Sequence, residues 1–434
     1  VRRAIPLVLT CAASLSCAPM GPYRGASPAP GAITAFATGG ADERRSAGAS
    51  LSGADPSRHY LGALSVPPGA DSLVLLVYGD NRPGFYLESH PVEYHAVKHM
   101  SLRDPGKLAR GLLFLPVLLV EAIVPTLDGP RDLLATLWTR RPTGGGERRV
   151  LTAMERIGRA DAVLSMGDVV FAGERGRLWD DFARLSRELR ERSLYLAAPG
   201  NHESMHDPTA EASWNAVVMT TARPGKNWYA VDAPRAGARF VFLDSNVLAD
   251  PHDDIADSIQ APYADEQLAW ADSMLATGPR LRFVVFHHPI VSAGHYVADW
   301  NDPAAARRRE RLFELCIEHD VTAVLTGHEH LYQRVFVRGP EGHGFWHVTT
   351  GGGGSPLYAI DRRVAEAEWA KPLPAGCELD RSTMRADREY HFCRMALPLD
   401  TGSTAVRLDA YRASWRGNPE RIEALSLHPS PRTR

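Results

Sequence analysis

The chain has 434 residues, 44% hydrophobic and 23% charged, which excludes wholesale disorder and leaves material for a sizeable core. With 49 Lys and Arg against 51 Asp and Glu the net charge is -2, so there is no broad electrostatic footprint for nucleic acid or an acidic membrane, and no nucleic-acid partner is expected. No stretch reaches the roughly 18 to 20 uninterrupted apolar residues of a membrane-spanning helix.

In chain order, residues 1–17 run from a basic start (Arg2, Arg3) through an apolar stretch to Ser16 and Cys17, the layout of a secretory leader. Leu15-Ser16-Cys17 is similar to a bacterial lipoprotein cleavage box in which Cys17 is lipidated, although Ser14 is atypical there; a cleaved signal or a short unstructured end is the alternative. The expected location is therefore outside the cytoplasm, periplasmic or anchored to a bacterial envelope membrane. Residues 18–66 are rich in Gly, Ala, Ser and Pro without period and read as a flexible tether, leaving 67–434 as the folded domain.

From about residue 71 short apolar runs alternate with helical stretches. Strands are predicted at 73–78, 162–166, 194–197, 240–243, 283–286 and 323–325, and helices at 178–190, 265–275 and 304–319, an α/β layout. The interval from Asp80 to Asp168 is far longer than the roughly 30 residues of one strand-helix-strand step. Its excess forms a mostly helical insertion at about 88–148, containing the apolar 108–140 segment with Trp138, Arg140 and Arg141 beside it. A helical hairpin over the domain is the simpler account, and insertion into a membrane surface the alternative. His90, His95 and His99 in the insertion have no ligand spacing and read as surface histidines. C-terminal strands are placed within 385–434, at 391–397 and 405–410. Cys316 lies in an amphipathic helix as a packed thiol, whereas Cys377 and Cys393 could pair in an oxidising compartment.

Five polar clusters close these apolar runs: Gly79-Asp80-Asn81-Arg82, Gly167-Asp168, Gly200-Asn201-His202-Glu203, His287-His288-Pro289 and Gly327-His328-Glu329-His330. In open α/β sheets, groups after the carboxyl ends of strands share one site. The donors are carboxylate and amide oxygens and imidazole nitrogens with no thiolate, suiting a hydrolytic site for Mn, Fe, Zn or a similar ion, and they are too many for one ion that keeps an open position.

With Gly327 to Arg334 and the glycine turn Gly351 to Gly354, these clusters resemble the calcineurin-like metallophosphoesterase superfamily over roughly residues 71 to 360, and look most like its purple acid phosphatase branch. The resemblance implies an α/β fold, a four-layer α/β/β/α sandwich, interrupted here by the helical insertion. It implies two divalent or trivalent ions, with Asp168 bridging, Asp80 and His330 completing the first position, and Asn201, His287 and His328 holding the second. His287 is chosen over its neighbour because the family ligand stands two residues before proline; His288 is then behind the ligands or facing substrate. His202 is the implied general acid and Glu203 the carboxylate that orients it. The implied reaction is hydrolysis of a small phosphoester, a monoester first, by a metal-bridging hydroxide. A phosphodiester or envelope lipid headgroup, or a non-catalytic metal-binding scaffold, is the alternative.

The chain departs from that pattern at Arg82, where most of the superfamily has a metal-ligating histidine, and at Phe171, where purple acid phosphatases carry a tyrosine ligand. A guanidinium stays protonated and cannot ligate. The first position is therefore expected to have fewer protein ligands. Arg82 either contacts a substrate phosphate oxygen or is salt-bridged to a nearby carboxylate. Ser292, Gly294, His295 and Tyr296 are candidates for lining the pocket, an exposed loop being the alternative. Tyr332 and Arg334 stand beside the site or simply pack there.

Overall fold

The computed structural model describes residues 50–53, 55, 59–83, 104–109, 111–113, 145–203, 206–218, 226–249, 257–294, 299–358, 360, 362–400, 402–403 and 405–428. The leader with Cys17, most of the tether, His90, His95, His99, Trp138, His295 and Tyr296 lie outside the described residues. Of the apolar 108–140 segment only residues 108, 109 and 111–113 are described, with Leu112 and Leu113 exposed. Among the described residues no helix is long and apolar enough to cross a membrane.

The strands assemble into two sheets. One has six strands: β3 (Ser72–Tyr78), β4 (Ala162–Ser165) and β5 (Leu194–Ala197) run parallel, and β13 (His391–Pro398), β14 (Val406–Ala413) and β15 (Pro419–Leu427) extend it antiparallel from β3. The other has nine, ordered β1 (Ser50–Ser52), β2 (Tyr60–Ser65), β6 (Tyr229–Ala233), β7 (Ala238–Phe242), β8 (Leu281–Val285), β9 (Ala323–Thr326), β11 (Gly344–Thr350), β10 (Tyr332–Arg338) and β12 (Glu378–Asp387). Strands β7, β8, β9 and β11 are parallel, so β8 and β9 present their carboxyl ends side by side.

Side-chain alternation along these strands builds four layers. Leu75, Val77, Leu164, Phe240, Phe283, Leu325 and Met395 form the core between the two sheets. Their neighbours point the other way: Leu76 and Val163 pack against Val150, Met154, Trp179 and Phe182, whereas Val241, Val284 and Val324 pack against Ala271, Leu312 and Phe313. The first outer layer comes from α1 (Gly145–Arg156), α2 (Gly176–Leu185), α3 (Arg187–Arg192) and α4 (Pro208–Val217), the second from α5 (Asp257–Ala276) and α6 (Pro303–Glu318); α7 (Arg362–Trp369) follows the glycine turn. Asp302 caps α6 by accepting from Ala304 N (2.7 Å) and Ala305 N (3.2 Å), with Pro303 as first residue, so the expected helix at 304–319 has a defined start. The single helix expected at 178–190 is two, divided at Ser186, whose hydroxyl donates back to the Phe182 carbonyl at 2.7 Å.

Residues 50–66 differ from the tether reading. β1 and β2 pair antiparallel, β2 runs parallel to β6, and Leu51, Leu64 and Val66 enter the inter-sheet core. Glycine-rich and serine-rich composition hid a strand whose alternate residues Leu64 and Val66 point inward. The insertion reading also overran, because α1 begins at Gly145 and packs Val150 and Met154 on the six-stranded sheet. Cys316, Cys377 and Cys393 are all free and buried: Cys393 lies between the sheets, whereas Cys377 belongs with Cys316 of α6 to the core outside the nine-stranded sheet, so the Cys377–Cys393 pair that an oxidising compartment would allow does not form.

Candidate metal centre

The carboxyl ends of β3, β4 and β5 in one sheet and of β8 and β9 in the other meet at one edge of the sandwich, and main-chain bonds lock their loops together. Asp80 N donates to Gly167 O (2.9 Å), Arg82 N to Asp168 O (2.8 Å), Gly327 N to His287 O (3.0 Å) and Gly353 N to Gly79 O (3.0 Å). His328 N donates to Asp80 Oδ2 at 2.8 Å, tying the sheets directly. Asp80, Asp168 and His328 adopt φ of 58°, 55° and 65°, a left-handed conformation that is costly outside glycine and that concentrates at functional sites. Gly167 precedes Asp168 at φ 88°, where a Cβ would stand 2.4 Å from Gly200 N; the close approach of the β4 and β5 loops requires glycine there.

The tautomers of the histidines follow from their partners. His287 Nδ1 lies 2.7 Å from the Met166 carbonyl and His330 Nδ1 2.7 Å from the Pro356 carbonyl. A carbonyl only accepts, so both Nδ1 atoms carry the proton and both Nε2 atoms present lone pairs. His328 has the opposite polarity: its Nε2 stands 3.0 Å from Asp299 Oδ2, out of line for a hydrogen bond but close enough that the carboxylate favours the proton on Nε2 and leaves Nδ1 as the lone-pair atom. His287 Nε2, His328 Nδ1 and Asn201 Oδ1 then form a triangle with edges of 3.0, 3.1 and 3.0 Å. Three lone-pair atoms facing one another repel unless a cation sits among them, and edges near 3 Å are what ligands at ~2.1 Å and near right angles span. The donor set of the second position fits a metal ion.

His288 is sorted the other way. Ser245 Oγ accepts from His287 N (3.2 Å) and His288 N (3.0 Å), which uses both its lone pairs, so its hydroxyl donates to His288 Nδ1 at 2.8 Å. The His288 proton is therefore on Nε2, making it a donor where His287 is an acceptor. The ring is buried, its centroid stands 4.5 Å from that of His328, and one of its nitrogens lies within 4.8 Å of a nitrogen of His287 and of His328; with Nδ1 engaged by Ser245 and the proton on Nε2 it offers that group no free lone pair.

At the first position Asp80, Asp168 and His330 bring one ligand atom each within 4.8 Å of one another, and His330 Nε2 is 3.4 Å from Asp80 Oδ1. That oxygen is buried without a hydrogen bond, as expected of an atom whose partner is an ion. Asp168 stands between the two positions: Oδ1 accepts from His202 N (3.0 Å) and lies 3.5 Å from His287 Nε2, while Oδ2 is 3.2 Å from Arg82 Nε. Burial would raise the Asp168 pKa, but His287, His202 and Arg82 outweigh it and hold the carboxyl well below the usual range. Burial pushes Asp80 up instead, with His287 opposing and the Asp168 charge adding to the rise. A cation between them would reverse that, because it favours both ionised forms.

Glu203 does not do what its position next to His202 implied. It is fully buried, and its two oxygens accept from the main-chain N–H groups of Asp168 (2.8 Å), Val169 (2.7 Å), Val170 (3.2 Å) and Gly200 (2.6 Å). Residues 201–203 form one 3-10 turn, which sends the third side chain inward beneath the β4 loop. His202 is oriented instead by the Phe171 carbonyl, 2.7 Å from Nδ1, which leaves Nε2 as its other ring nitrogen away from that contact. His202 is partly exposed, in contrast to the buried His287, His288, His328 and His330.

Two residues escaped the sequence reading: Asp299, which faces His328, and Ser245, which fixes His288. Neither sits in a recognisable motif, and each acts from a loop distant in sequence. Tyr358 stacks on His330 with ring centroids 4.0 Å apart, and Ser355 closes the glycine turn over Asp80 by donating N–H to its carbonyl at 2.9 Å. Tyr332 and Arg334 face away, both donating to Glu423, at 2.6 Å each. A further acidic and imidazole cluster at Asp272, Glu318 and His319 is neutralised by Arg311, 2.8 Å from Asp272.

Residues 142–332 match the family described as calcineurin-like phosphoesterase. That span, under half of the chain, is similar to the calcineurin-like phosphoesterases. Purple acid phosphatase 21 of Arabidopsis thaliana is 26% identical over 212 residues, and purple acid phosphatase 22 of the same plant 27% over 206, each alignment covering 45% of this chain and 44% of the relative. The chain thus spans under half the length of these relatives. The purple acid phosphatase PPD1 from yellow lupin seeds has the same fold, with a TM-score of 0.52 at 17% identity over 85% of this chain and 56% of that one. This calcineurin-like domain therefore has relatives in the purple acid phosphatase branch, with the departures at Arg82 and Phe171 intact: the Phe171 ring lies 5.2 Å from His202, and the Arg82 guanidinium lies 5.3 Å above it.

Proposed function

We propose that the protein is a metal-dependent phosphoester hydrolase, acting first on small phosphomonoesters and outside the cytoplasm. The observation that carries this reading is the convergence of Asn201, His287 and His328 on one side of Asp168, with Asp80 and His330 on the other. Fe, Mn or Zn suits these oxygen and imidazole donors. Bound there, the ions would neutralise phosphoryl charge and lower the pKa of water. The chain's own residues do the rest. Met166, Pro356 and Asp299 hold the imidazoles with their lone pairs inward, and Glu203 fixes the backbone that carries Asp168. His202, its Nδ1–H committed to Phe171, gives up a proton from Nε2 to the departing alkoxide. The location rests on the basic and then apolar residues 1–17, and attachment through Cys17 or the 108–140 segment is a separate proposal on residues outside those described.

Turnover of p-nitrophenyl phosphate and bis-p-nitrophenyl phosphate by metal-loaded protein tests the reading. Faster monoester hydrolysis is expected; faster diester hydrolysis would move the substrate class to nucleotide or lipid-headgroup diesters, and no hydrolysis of either by protein holding its metal would leave a binding scaffold. In His202→Ala the expected loss is about 10²-fold or more in kcat, larger for an alkyl phosphate than for the p-nitrophenyl ester, with metal content unchanged. Parent-like rates on both esters would remove the general-acid role.

A further inference from the structure

We infer that Arg82 is a built-in cation of the first metal position, sharing the Asp168 carboxylate with any ion bound there, so that the two positions fill in order: Asn201, His287 and His328 tightly, Asp80 and His330 weakly. This rests on reading the site as a metal centre, but not on its hydrolytic activity.

The geometry gives Arg82 little freedom to leave. Its N–H donates to the Asp168 carbonyl at 2.8 Å and its own carbonyl accepts from Ser355 Oγ at 3.0 Å, so both faces of its peptide are fixed. The residue is 2% exposed, and its guanidinium lies over the Phe171 ring. Moving the charge elsewhere in the interior would cost its desolvation again. It cannot be neutralised, since a guanidinium keeps its proton at any working pH.

The two oxygens of Asp168 are consequently unequal. Oδ1 accepts from His202 N and faces His287 Nε2, on the side of the second position. Oδ2 faces Arg82 Nε at 3.2 Å, so part of its lone-pair capacity is taken by the guanidinium. Among the described His, Cys, Asp and Glu residues that position gathers Asp80, Asp168 and His330, and Phe171 adds no oxygen. An ion arriving there meets a fixed positive charge a few ångströms away, in buried surroundings that screen the repulsion far less than water does. At the second position the three donors face one another, and the Asp168 oxygen on that side accepts from the His202 N–H and not from the guanidinium.

Zn²⁺ titration of the full chain by calorimetry, with bound metal counted by mass spectrometry, tests this directly. The expected result is one tight equivalent and a second at least about 100-fold weaker. In Arg82→Met the second equivalent should tighten by about tenfold or more, and in Arg82→His further, because an imidazole adds a donor; Arg82→Lys, which keeps a charge, should stay near the parent. Two equivalents within tenfold of each other in the parent would overturn the inference, as would an Arg82→Met affinity at or below the parent value. If Arg82→Met does not fold, the parent and Arg82→Lys titrations decide, a second equivalent in Arg82→Lys tighter than the parent's by tenfold counting against it. Absence of any tight equivalent would instead sink the metal-centre reading itself.

Discussion

At the scale of single residues, the site works through what stands behind each ligand. Imidazole lone pairs are directed inward by the Met166 and Pro356 carbonyls, which bond the outer nitrogens, and by the Asp299 carboxylate, whose charge lies 3.0 Å from His328 Nε2. Partners of this kind typically account for 10- to 100-fold in metal affinity. Asp299→Ala should accordingly weaken the second position by about that factor while leaving the metal-free melting temperature nearly unchanged; Asp299→Asn, which keeps an acceptor oxygen, should recover part of the loss. Equal affinity in all three proteins would remove Asp299 from the centre. The donors themselves were legible from sequence, since five strand-end clusters of the right residue types announce a shared site. Their polarity was not, because whether His287 or His288 offers a lone pair depends on Met166 and Ser245, brought up from other strands. Glu203 was misassigned for the same reason: adjacency to His202 in sequence says nothing about direction once a 3-10 turn rotates successive side chains apart.

At the scale of elements, the β4 and β5 loops depend on one buried carboxylate. Glu203 accepts four main-chain N–H groups that no other acceptor replaces in its place beneath the loop. A buried N–H left unpaired costs ~1–3 kcal/mol. Glu203→Ala is therefore expected to destabilise the fold by at least about 3 kcal/mol and to lose metal through displacement of Asp168, both readable from denaturant unfolding with and without Zn²⁺. A variant as stable as the parent would show that the loop holds its shape by other means. The apolar strands β3, β4, β5, β7, β8 and β9 were all visible from sequence because buried parallel strands read as continuous hydrophobic runs. Strands β1 and β2 were not, since only Leu51, Leu64 and Val66 mark them within a glycine- and serine-rich segment. β12 was hidden likewise: as an edge strand it leaves most of its side chains partly exposed and carries no buried run.

At the scale of the whole molecule, two histidines away from the proposed ligands make stability depend on acid. His347 on β11 sits between Val324 and Val335 beneath α6, with no hydrogen bond to either ring nitrogen, and burial with Arg309 nearby lowers its pKa to about 3. Burial also lowers that of His391, to about 4, though Glu389 O and Thr350 Oγ1 bond its ring. Between the unfolded value of ~6.5 and these depressed values the unfolded chain takes up protons that the fold refuses. The stability these neutral rings contribute is complete above pH ~6.5 and is lost as pH falls toward about 4 and then about 3. His347→Leu, apolar among apolar neighbours, should flatten the unfolding free energy against pH by about one proton across that window and raise stability at pH 5. An unchanged slope would mean that His347 finds a partner when charged.

The two-sheet sandwich, its outer helices and the shared edge all serve one proposed arrangement: five donors gathered about Asp168. Anomalous diffraction from crystals saturated with Zn²⁺ addresses that arrangement most directly. The account predicts two peaks flanking Asp168, the stronger against Asn201 Oδ1, His287 Nε2 and His328 Nδ1, the weaker between Asp80 and His330 beside Arg82. Metal bound elsewhere on the chain with no density at this edge, or coordination through His288 in place of His287, would contradict it.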